Sequence, residues 1–324
     1  MQVHFSEAPH GAHLGNFVRR TSSICEVTMG PEPNPDADIL VTGRPRPEEL
    51  DAMKKLWALI IPFAGVPEAT RERMKNYPEV AVYNLHHNAA ATAEMAVTLM
   101  LAAGRNIVAL DSGLRKGEWA GRNMPDAMHM RSSALAFEGA SVLIIGYGEI
   151  GRRAARVCLA LGMNVEAIKK TVRAAFDGDV SLYSPSGLGE RLPKADVVMI
   201  TVPLTAETED LLGFEELGRM KPGAILVNVS RGPIVNEEAL YKALETGHLA
   251  GAGLDVWWQY PARGEDVGAP SRFDFASLPQ VVMTPHLGGT NRDSEAKRME
   301  ALAGLVQELA SGRPVRRVDL NTGY

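Results

Sequence analysis

The chain has 324 residues, 45% of them hydrophobic, which is enough to bury two cores and predicts two domains of ordinary size. Its 34 Lys and Arg against 39 Asp and Glu give a net charge of -5 without a long basic block, which argues against a nucleic-acid partner. Two isolated cysteines, Cys25 and Cys158, no secretory signal and no bilayer-length apolar run predict a cytoplasmic protein without a membrane partner. We expect both cysteines to be small packing residues.

Apolar runs alternate with helical patterns along most of the chain. This alternation is typical of parallel sheets with crossover helices, so the sequence predicts an α/β fold. Residues 89–105, rich in Ala, Met and Leu, predict one long buried helix that passes from the first domain into the second. The predicted strands are 38–41, 57–61 and 80–83 early in the chain, then 142–145, 165–168, 197–201, 224–229 and 281–284.

A glycine-rich turn, G-Y-G-E-I-G, lies directly between a predicted strand and a predicted helix. In that context Gly146 makes the tight turn, Gly148 lets the backbone approach a pyrophosphate, and Gly151 lets the helix pack on the strand. With Glu149 and Ile150 at the start of the helix, the turn predicts a dinucleotide site and disfavours a βα turn without a ligand.

The residues after the second strand of this site bear on which coenzyme binds. An NAD site usually places an acidic residue about 20 positions beyond the glycines, where it binds the ribose hydroxyls. Here the corresponding run contains Lys169, Lys170 and Arg173, which would attract a 2′-phosphate. We therefore predict NADP as the preferred coenzyme, with NAD possible; the alternative is a solvated basic loop.

The apolar run 224–229 leads to Arg231 near the carboxyl end of its strand, where a parallel sheet exposes its ligand crevice. A guanidinium pairs bidentately with a carboxylate and needs such a partner to offset its desolvation. Arg231 is therefore a candidate anion-binding residue. A structural salt bridge is the alternative.

Three segments, V-N-V-S-R-G, G-A-G-L-D-V and T-P-H-L-G-G, together resemble the D-isomer-specific 2-hydroxyacid dehydrogenases of the glyoxylate and hydroxypyruvate reductase type. T-V-P-L-T at 201–205, M-K-P-G-A at 220–224 and F-A-G-V at 63–66 extend the resemblance over nearly the whole chain. It implies a Rossmann-type doubly wound parallel sheet in residues 99–288. A second, smaller flavodoxin-like α/β domain would bind the substrate with residues 1–98 and 289–324. It also implies a homodimer, for which the Met-rich helix offers a seam.

The resemblance also implies roles for particular residues. Arg231 would hold and polarise the carboxylate and carbonyl of the substrate, and His286, beside the coenzyme, would exchange a proton with the substrate oxygen. The chemistry requires such groups independently, because hydride arriving at a ketone carbon puts negative charge on oxygen. The remaining implied contacts are Asp255 with the nicotinamide amide, Val202 and Pro203 with the coenzyme, and the backbone N–H groups of Ala64, Gly65 and Val66 with the carboxylate.

One position departs from the family pattern. A glutamate normally lies five residues after the position of Asp255 and hydrogen-bonds the catalytic histidine, whereas here Tyr260 occupies that position. A neutral partner can orient the imidazole but raises its pKa less than a carboxylate would. Tyr260 joins Arg231 and His286 in the predicted catalytic set, Glu265 is a nearby alternative partner, and we predict no metal site.

Together these observations predict an oxidoreductase that reduces a small 2-oxo acid, of glyoxylate or hydroxypyruvate size, to the D-2-hydroxy acid with NADPH. The missing glutamate keeps open a dehydrogenase of formate, phosphite or a phosphonate-bearing acid on the same scaffold. A third hypothesis is a nucleotide-sensing regulator similar to the dehydrogenase-like corepressors, which an exposed peptide-docking groove would mark.

Overall fold

The protein forms two compact units in a computed structural model that describes residues 1–9, 13–119, 134–262 and 264–321. The first unit comprises Met1–Asn88 and Thr290–Tyr324, and the second comprises Ala89–Gly289. Each unit contains its own sheet and its own buried apolar clusters.

The first unit contains a five-stranded parallel sheet in the order β2-β1-β3-β4-β5, which is the flavodoxin-type order. Its central strands are apolar and buried on both faces, as expected where helices cover both sides of a parallel sheet. This confirms the predicted fold class of the smaller domain. The strands are β1 (Gln2–Phe5), β2 (Glu26–Met29), β3 (Ile39–Val41), β4 (Ala58–Ile61) and β5 (Ala81–Asn84), and the helices are α1 (His13–Thr21), α2 (Pro47–Ala52), α3 (Glu68–Met74) and, near the carboxyl terminus, α10 (Ser294–Ala310).

The second unit begins with two helices and continues with alternating strands and helices. Its strands are β6 (Ser141–Ile145), β7 (Asn164–Ile168), β8 (Phe176–Asp177), β9 (Val180–Tyr183), β10 (Val197–Ile200), β11 (Ile225–Asn228), β12 (Gly251–Leu254) and β13 (Val281–Met283). Its helices are α4 (Ala89–Gly104), α5 (Ile107–Arg115), α6 (Glu149–Ala160), α7 (Leu188–Arg191), α8 (Phe214–Arg219) and α9 (Glu237–Glu245), with 3-10 turns at Pro185–Gly187, Leu192–Lys194, Gly232–Ile234 and Phe275–Ser277.

The eight strands of the second unit form one sheet in the order β13-β12-β11-β10-β6-β7-β9-β8. All neighbours are parallel except β8 and β9, which pair antiparallel. The central part, β9-β7-β6-β10-β11-β12, has the strand order of a dinucleotide-binding fold, which confirms the predicted Rossmann-type sheet. The direction of winding reverses between β6 and β10, and ligands of such sheets bind at that point.

Helix α4 belongs entirely to the second unit. It contacts β11, β12 and α6, and an added Cβ on Gly253 of β12 would lie 2.7 Å from the Cβ of Leu99. Glycine in β12 is thus what allows this close approach. The domain boundary predicted at residue 98 therefore differs from the structure, which divides the chain after Asn88; the second boundary falls after Gly289, one residue beyond the predicted one. Glu94 and Thr98 of α4 are exposed, whereas most of its apolar residues are buried and Met95 and Leu101 are half-buried.

Helix α5 follows α4 after two residues and contains no buried residue. Its exposed apolar side chains are Ile107, Val108, Leu110 and Leu114. No single helix among the described residues is long and apolar enough to cross a membrane; α4 and α5 reach that length only as a pair separated by a 63° bend.

Both cysteines are free and buried, in agreement with their predicted packing role. Burial raises the pKa of the Cys158 thiol to about 12, so this side chain stays protonated and unreactive near neutral pH.

Candidate active site

Six neighbouring strands of the second sheet deliver the predicted site residues to one edge. Because adjacent strands run parallel, their carboxyl ends share that edge, and the loops leaving it form the crevice side of the sheet. The structure thus brings together every predicted residue of the second unit: Gly146–Gly151 after β6, Lys169, Lys170 and Arg173 after β7, Val202 and Pro203 after β10, Arg231 after β11, Asp255 and Tyr260 after β12, and His286 after β13.

The glycine-rich turn is closed so tightly that side chains are excluded from two of its positions. Gly146 has φ 104°, and an added Cβ there would lie 2.8 Å from the backbone nitrogen of Val202. An added Cβ on Gly151 would lie 2.1 Å from the carbonyl oxygen of Gly146, which accepts a 2.6 Å hydrogen bond from the Thr201 hydroxyl. Glycine is therefore required at both positions, as the sequence predicts.

The third glycine faces open space. Gly148 precedes α6, and nothing lies within 4 Å of an added Cβ at this position. The helix that follows has 12 residues and presents its unpaired N–H groups and positive dipole end here. Glu149 points its carboxylate at Arg153 in an ion pair along the helix, and Ile150 is half-buried. Space, donors and dipole suit the pyrophosphate of a dinucleotide.

The basic run after β7 is only partly available to a ligand. Lys170 forms a 2.6 Å ion pair with Glu207 in which both side chains are exposed. Lys169 is half-buried and Arg173 is exposed, and neither forms an ion pair within the described residues. Lys169 and Arg173 therefore remain for a phosphate. Glu207, which was not predicted from the sequence, offsets the charge of Lys170.

A buried asparagine fixes the turn that carries Arg231. Asn228, 1% exposed at the end of β11, donates to the carbonyl of Arg231 at 2.9 Å and accepts from the N–H of Ser230 at 3.0 Å. The Ser230 hydroxyl donates to the carbonyl of Val202, which ties this turn to the segment beside Gly146. Arg231 itself is half-buried, and in the described part of the chain no carboxylate pairs with it. This disfavours the structural salt bridge considered from the sequence.

The tryptophans after β12 join the turns to one another. An added Cβ on Gly232 would lie 2.3 Å from the carbonyl oxygen of Trp257, so the two segments touch through their backbones. The buried indole of Trp257 donates to the carbonyl of Thr284 at 2.9 Å, and Trp258 stacks on Phe275 at 5.5 Å. Both side chains therefore pack within this unit.

Asp255 holds the turn that carries His286. Its carboxylate, 1% exposed, accepts hydrogen bonds from the Thr284 hydroxyl at 2.7 Å, the Leu287 N–H at 3.0 Å and the Gly288 N–H at 2.8 Å. His286 lies between these donors with φ 57°, a left-handed conformation that is unfavourable for a residue with a side chain. The three bonds to Asp255 stabilise that conformation.

Tyr260 is the hydrogen-bond partner of His286. Its hydroxyl lies 2.9 Å from Nδ1 of the imidazole, and the ring centroids are 5.6 Å apart. The same hydroxyl accepts a 3.2 Å hydrogen bond from the N–H of Trp257. Both side chains are exposed, with Tyr260 at 51%. Tyr260 therefore occupies the place that the sequence comparison gave it, and the nearby alternative, Glu265, is not needed to orient the ring.

The surroundings of the two rings shift their pKa values in opposite directions. Loss of solvent around the ring, reinforced by the positive charge of Arg231, lowers the pKa of His286, while the Asp255 carboxylate opposes this shift. Burial raises the pKa of Tyr260, whereas the hydrogen bond from the Trp257 N–H and the positive charge of Arg231 oppose this rise. His286 as a residue is exposed, which moderates its shift. Near neutral pH the imidazole is thus mainly neutral and the phenol protonated.

The predicted carboxylate-binding loop, Ala64–Val66, lies in the first unit. It follows β4, and Asn84 at the end of β5 donates through its side-chain amide to the carbonyl of Ala64. Val66 is buried among the apolar side chains of this unit. Asn84 thus supports the loop from the neighbouring strand.

Sequence reasoning missed four polar residues that support the site, namely Asn84, Asn228, Ser230 and Thr284. Asn84 and Asn228 are each the last residue of a buried strand, and Ser230 and Thr284 lie within two residues of one. A polar residue at the end of an apolar run is the signal that could have identified them, because buried polar groups require hydrogen-bond partners.

The chain is similar to a known family and to several known proteins. The family model described as "D-isomer specific 2-hydroxyacid dehydrogenase, NAD binding domain" matches residues 97–288. A glyoxylate reductase of Thermococcus gammatolerans is 36% identical over 242 residues, covering 74% of this chain and 67% of that protein. A glyoxylate reductase of Thermococcus kodakarensis is 34% identical over 280 residues, covering 83% of this chain and 78% of that protein. A solved D-isomer-specific 2-hydroxyacid dehydrogenase from Xanthobacter autotrophicus Py2, in complex with NADPH and MES, is 25% identical with a TM-score of 0.79 and covers 100% of this chain and 99% of that chain.

The charges around His286 predict the sign of two pKa changes. Arg231→Gln removes a positive charge and should raise the pKa of His286, whereas Asp255→Asn removes a negative charge and should lower it further. The measurement is an NMR titration of the His286 ring. Arg219→Gln, which breaks an exposed ion pair on α8, is the control and should leave the titration unchanged. A fall in the pKa of Arg231→Gln would contradict this electrostatic account.

Proposed function

The chain belongs to the D-isomer-specific 2-hydroxyacid dehydrogenases, nicotinamide-dependent oxidoreductases that act on CH–OH groups, and from this premise we propose that it reduces a small 2-oxo acid to the D-2-hydroxy acid with NADPH. The observation that carries the proposal is the placement of Arg231 and His286 at the same sheet edge as the glycine-rich turn. The glyoxylate reductases among its relatives support a substrate of glyoxylate or hydroxypyruvate size.

The residues at this edge fit a nicotinamide dinucleotide, which when bound supplies a hydride to C2 of the oxo acid. The Gly146–Gly151 turn and the first N–H groups of α6 would hold the pyrophosphate, and Val202 with Pro203 would form the adjoining wall. Asp255 accepts three hydrogen bonds within the protein, and a carboxylate has about four lone-pair sites. One site therefore remains for the carboxamide of the nicotinamide.

Arg231 and His286 would have different roles at the substrate, the first in binding its carboxylate and the second in proton transfer. The guanidinium of Arg231, which pairs with no carboxylate of the described chain, would bind the substrate carboxylate and stabilise the charge that develops on oxygen. His286, held by Asp255 and Tyr260, would place its Nε2 proton on that oxygen. The role of Ala64, Gly65 and Val66 as further donors to the carboxylate stays a prediction from the family resemblance.

Removing these two groups tests the proposal. With NADPH and a panel of 2-oxo acids, His286→Ala should lower kcat by roughly 10²- to 10⁴-fold with coenzyme affinity nearly unchanged, because alanine cannot transfer a proton. Arg231→Ala should chiefly reduce kcat/KM for the oxo acid. The measurement is the nicotinamide absorbance, with chiral analysis of the product. His248→Gln is the control, since His248 precedes β12, at the opposite edge of the sheet, and bonds the Leu217 carbonyl. Failure of the wild-type protein to reduce any 2-oxo acid would contradict the proposal.

Preference for NADPH rests on Lys169 and Arg173, the two cations after β7 that carry no ion pair among the described residues. The NADPH bound in the related Xanthobacter structure supports the same choice. Lys170 contributes less because Glu207 offsets its charge.

A charge reversal at this position tests the coenzyme preference. Lys169→Asp should erode or reverse the preference for NADPH, because a carboxylate repels the 2′-phosphate and accepts hydrogen bonds from ribose hydroxyls. The measurement is the ratio of kcat/KM for NADPH to that for NADH. Lys194→Asp makes the same charge change before β10, at the opposite edge of the sheet, and should leave the ratio unchanged. Equal or better use of NADH by the wild type would show that the basic run is a solvated loop.

We propose further that the homodimer expected from the sequence forms through α5 and not through α4. Most apolar residues of α4 are buried within the second unit, whereas α5 buries none of its residues and exposes Ile107, Leu110 and Leu114. Contiguous exposed apolar side chains of this kind mark protein–protein contacts.

Placing charge on α5 tests the dimer. The wild type should sediment as a dimer, and Leu110→Glu with Leu114→Glu should sediment as a monomer because burying two carboxylates in an apolar interface is costly. Val267→Glu, at an apolar residue that is 87% exposed elsewhere in the unit, is the control and should remain a dimer. A monomeric wild type at micromolar concentration, or a dimeric double variant, would contradict the assignment.

A further inference from the structure

The Tyr260 hydroxyl lies between two hydrogen-bonding groups, the N–H of Trp257 and Nδ1 of His286. The N–H of Trp257 can only donate, so the phenolic oxygen accepts this 3.2 Å bond. The hydroxyl proton is then available to Nδ1 of His286, 2.9 Å away. A neutral imidazole that accepts a hydrogen bond at Nδ1 carries its own proton at Nε2. When the Tyr260 hydroxyl donates to Nδ1, it selects the tautomer that presents the Nε2 N–H to a ligand.

The charged groups facing His286 favour this neutral form. Among the described residues these groups are Arg231 and Asp255, and Tyr260 is the titratable side chain that bonds the ring. Partial burial and the guanidinium lower the pKa of His286, and the carboxylate of Asp255 opposes them only in part. The pKa of Tyr260 is raised, so its phenol keeps its proton at neutral pH. The pair thus holds two protons, one on Nε2 and one on the phenolic oxygen.

We propose that Tyr260 supplies, through the imidazole of His286, the proton that the substrate oxygen takes up on reduction. This inference rests on the proposed function and concerns the source of its proton. This pair differs from a histidine paired with a carboxylate, because an ionised carboxylate accepts a hydrogen bond from the Nδ1–H of the ring and has no proton to pass on.

The step balances in atoms and charge. As C2 of the oxo acid accepts the hydride, the carbonyl π electrons move to oxygen, and this oxygen takes the proton from Nε2. The electrons of the broken N–H bond enter the ring, Nδ1 takes the phenolic proton, and the negative charge remains on the oxygen of Tyr260. The Trp257 N–H and the positive charge of Arg231 stabilise the phenolate. Tyr260 is 51% exposed, so water can return its proton.

A tautomer measurement tests the inference without coenzyme or substrate. The nitrogen-15 chemical shifts of neutral His286 should show Nε2 protonated and Nδ1 unprotonated in the wild type. Tyr260→Phe should lose this bias and show a mixture of both tautomers, because the donor to Nδ1 is gone. Tyr241→Phe removes a hydroxyl from another part of the unit and should behave as the wild type. A wild-type ring protonated at Nδ1 would overturn the relay.

The pH dependence of reduction provides the second test. In the wild type, kcat/KM for the oxo acid should stay constant as pH rises through the pKa of His286, because the neutral ring still donates. In Tyr260→Phe only the imidazolium can donate, so kcat/KM should fall by about tenfold per pH unit above that pKa. A wild-type decline that follows the His286 titration, or a flat Tyr260→Phe profile, would overturn the relay. If 2-oxo acids are reduced while Nδ1 is protonated, the relay is wrong and the proposed function stands.

Discussion

The carboxylate of Asp255 is the constraint on which the site depends. It extends from the end of β12 and takes three hydrogen bonds from the turn after β13, each of a kind worth about 1.5–3 kcal/mol when one partner is charged. These bonds offset the left-handed backbone of His286, which costs on the order of 1–3 kcal/mol. With the turn held in this way, the imidazole meets the hydroxyl of Tyr260 and lies within the field of Arg231.

The parallel sheet brings the other site residues of this unit to one edge. Once β6, β10, β11, β12 and β13 are in register, their loops share one edge, and short backbone contacts such as that between Gly232 and the Trp257 carbonyl join them. The catalytic group and the coenzyme turn can therefore be far apart in sequence and close in the fold. The hydrogen bond from Ser230 to the Val202 carbonyl links the two regions directly.

Strands buried on both faces were predictable, because they read as continuous apolar runs; all eight predicted strands occur within one residue of their expected limits. Strands β1, β2, β8, β9 and β12 were not predicted. Strand β1 contains the buried His4, which bonds Thr28 and the Gly30 carbonyl, and β2 and β8 lie at sheet edges. Strand β9 alternates buried and half-buried positions, and two glycines weaken the strand pattern of β12. The glycine turn, Arg231 and His286 follow from their motifs. The three hydrogen bonds to Asp255 and the bond from Asn228 to the Arg231 carbonyl could not be predicted, because they form only after neighbouring turns fold. The contact of Tyr260 with His286 was predictable only from its place in the family pattern.

A crystal structure of the protein with NADPH and oxamate, a 2-oxo acid analogue that cannot be reduced, would show whether Arg231 and His286 act on the same ligand. We expect Arg231 to bind the carboxylate of oxamate and Nε2 of His286 to lie about 2.6–3.2 Å from its carbonyl oxygen. We also expect the hydroxyl of Tyr260 to stay on Nδ1. Oxamate bound away from Arg231, or a His286 ring turned from the carbonyl oxygen while the three hydrogen bonds to Asp255 are intact, would contradict these roles.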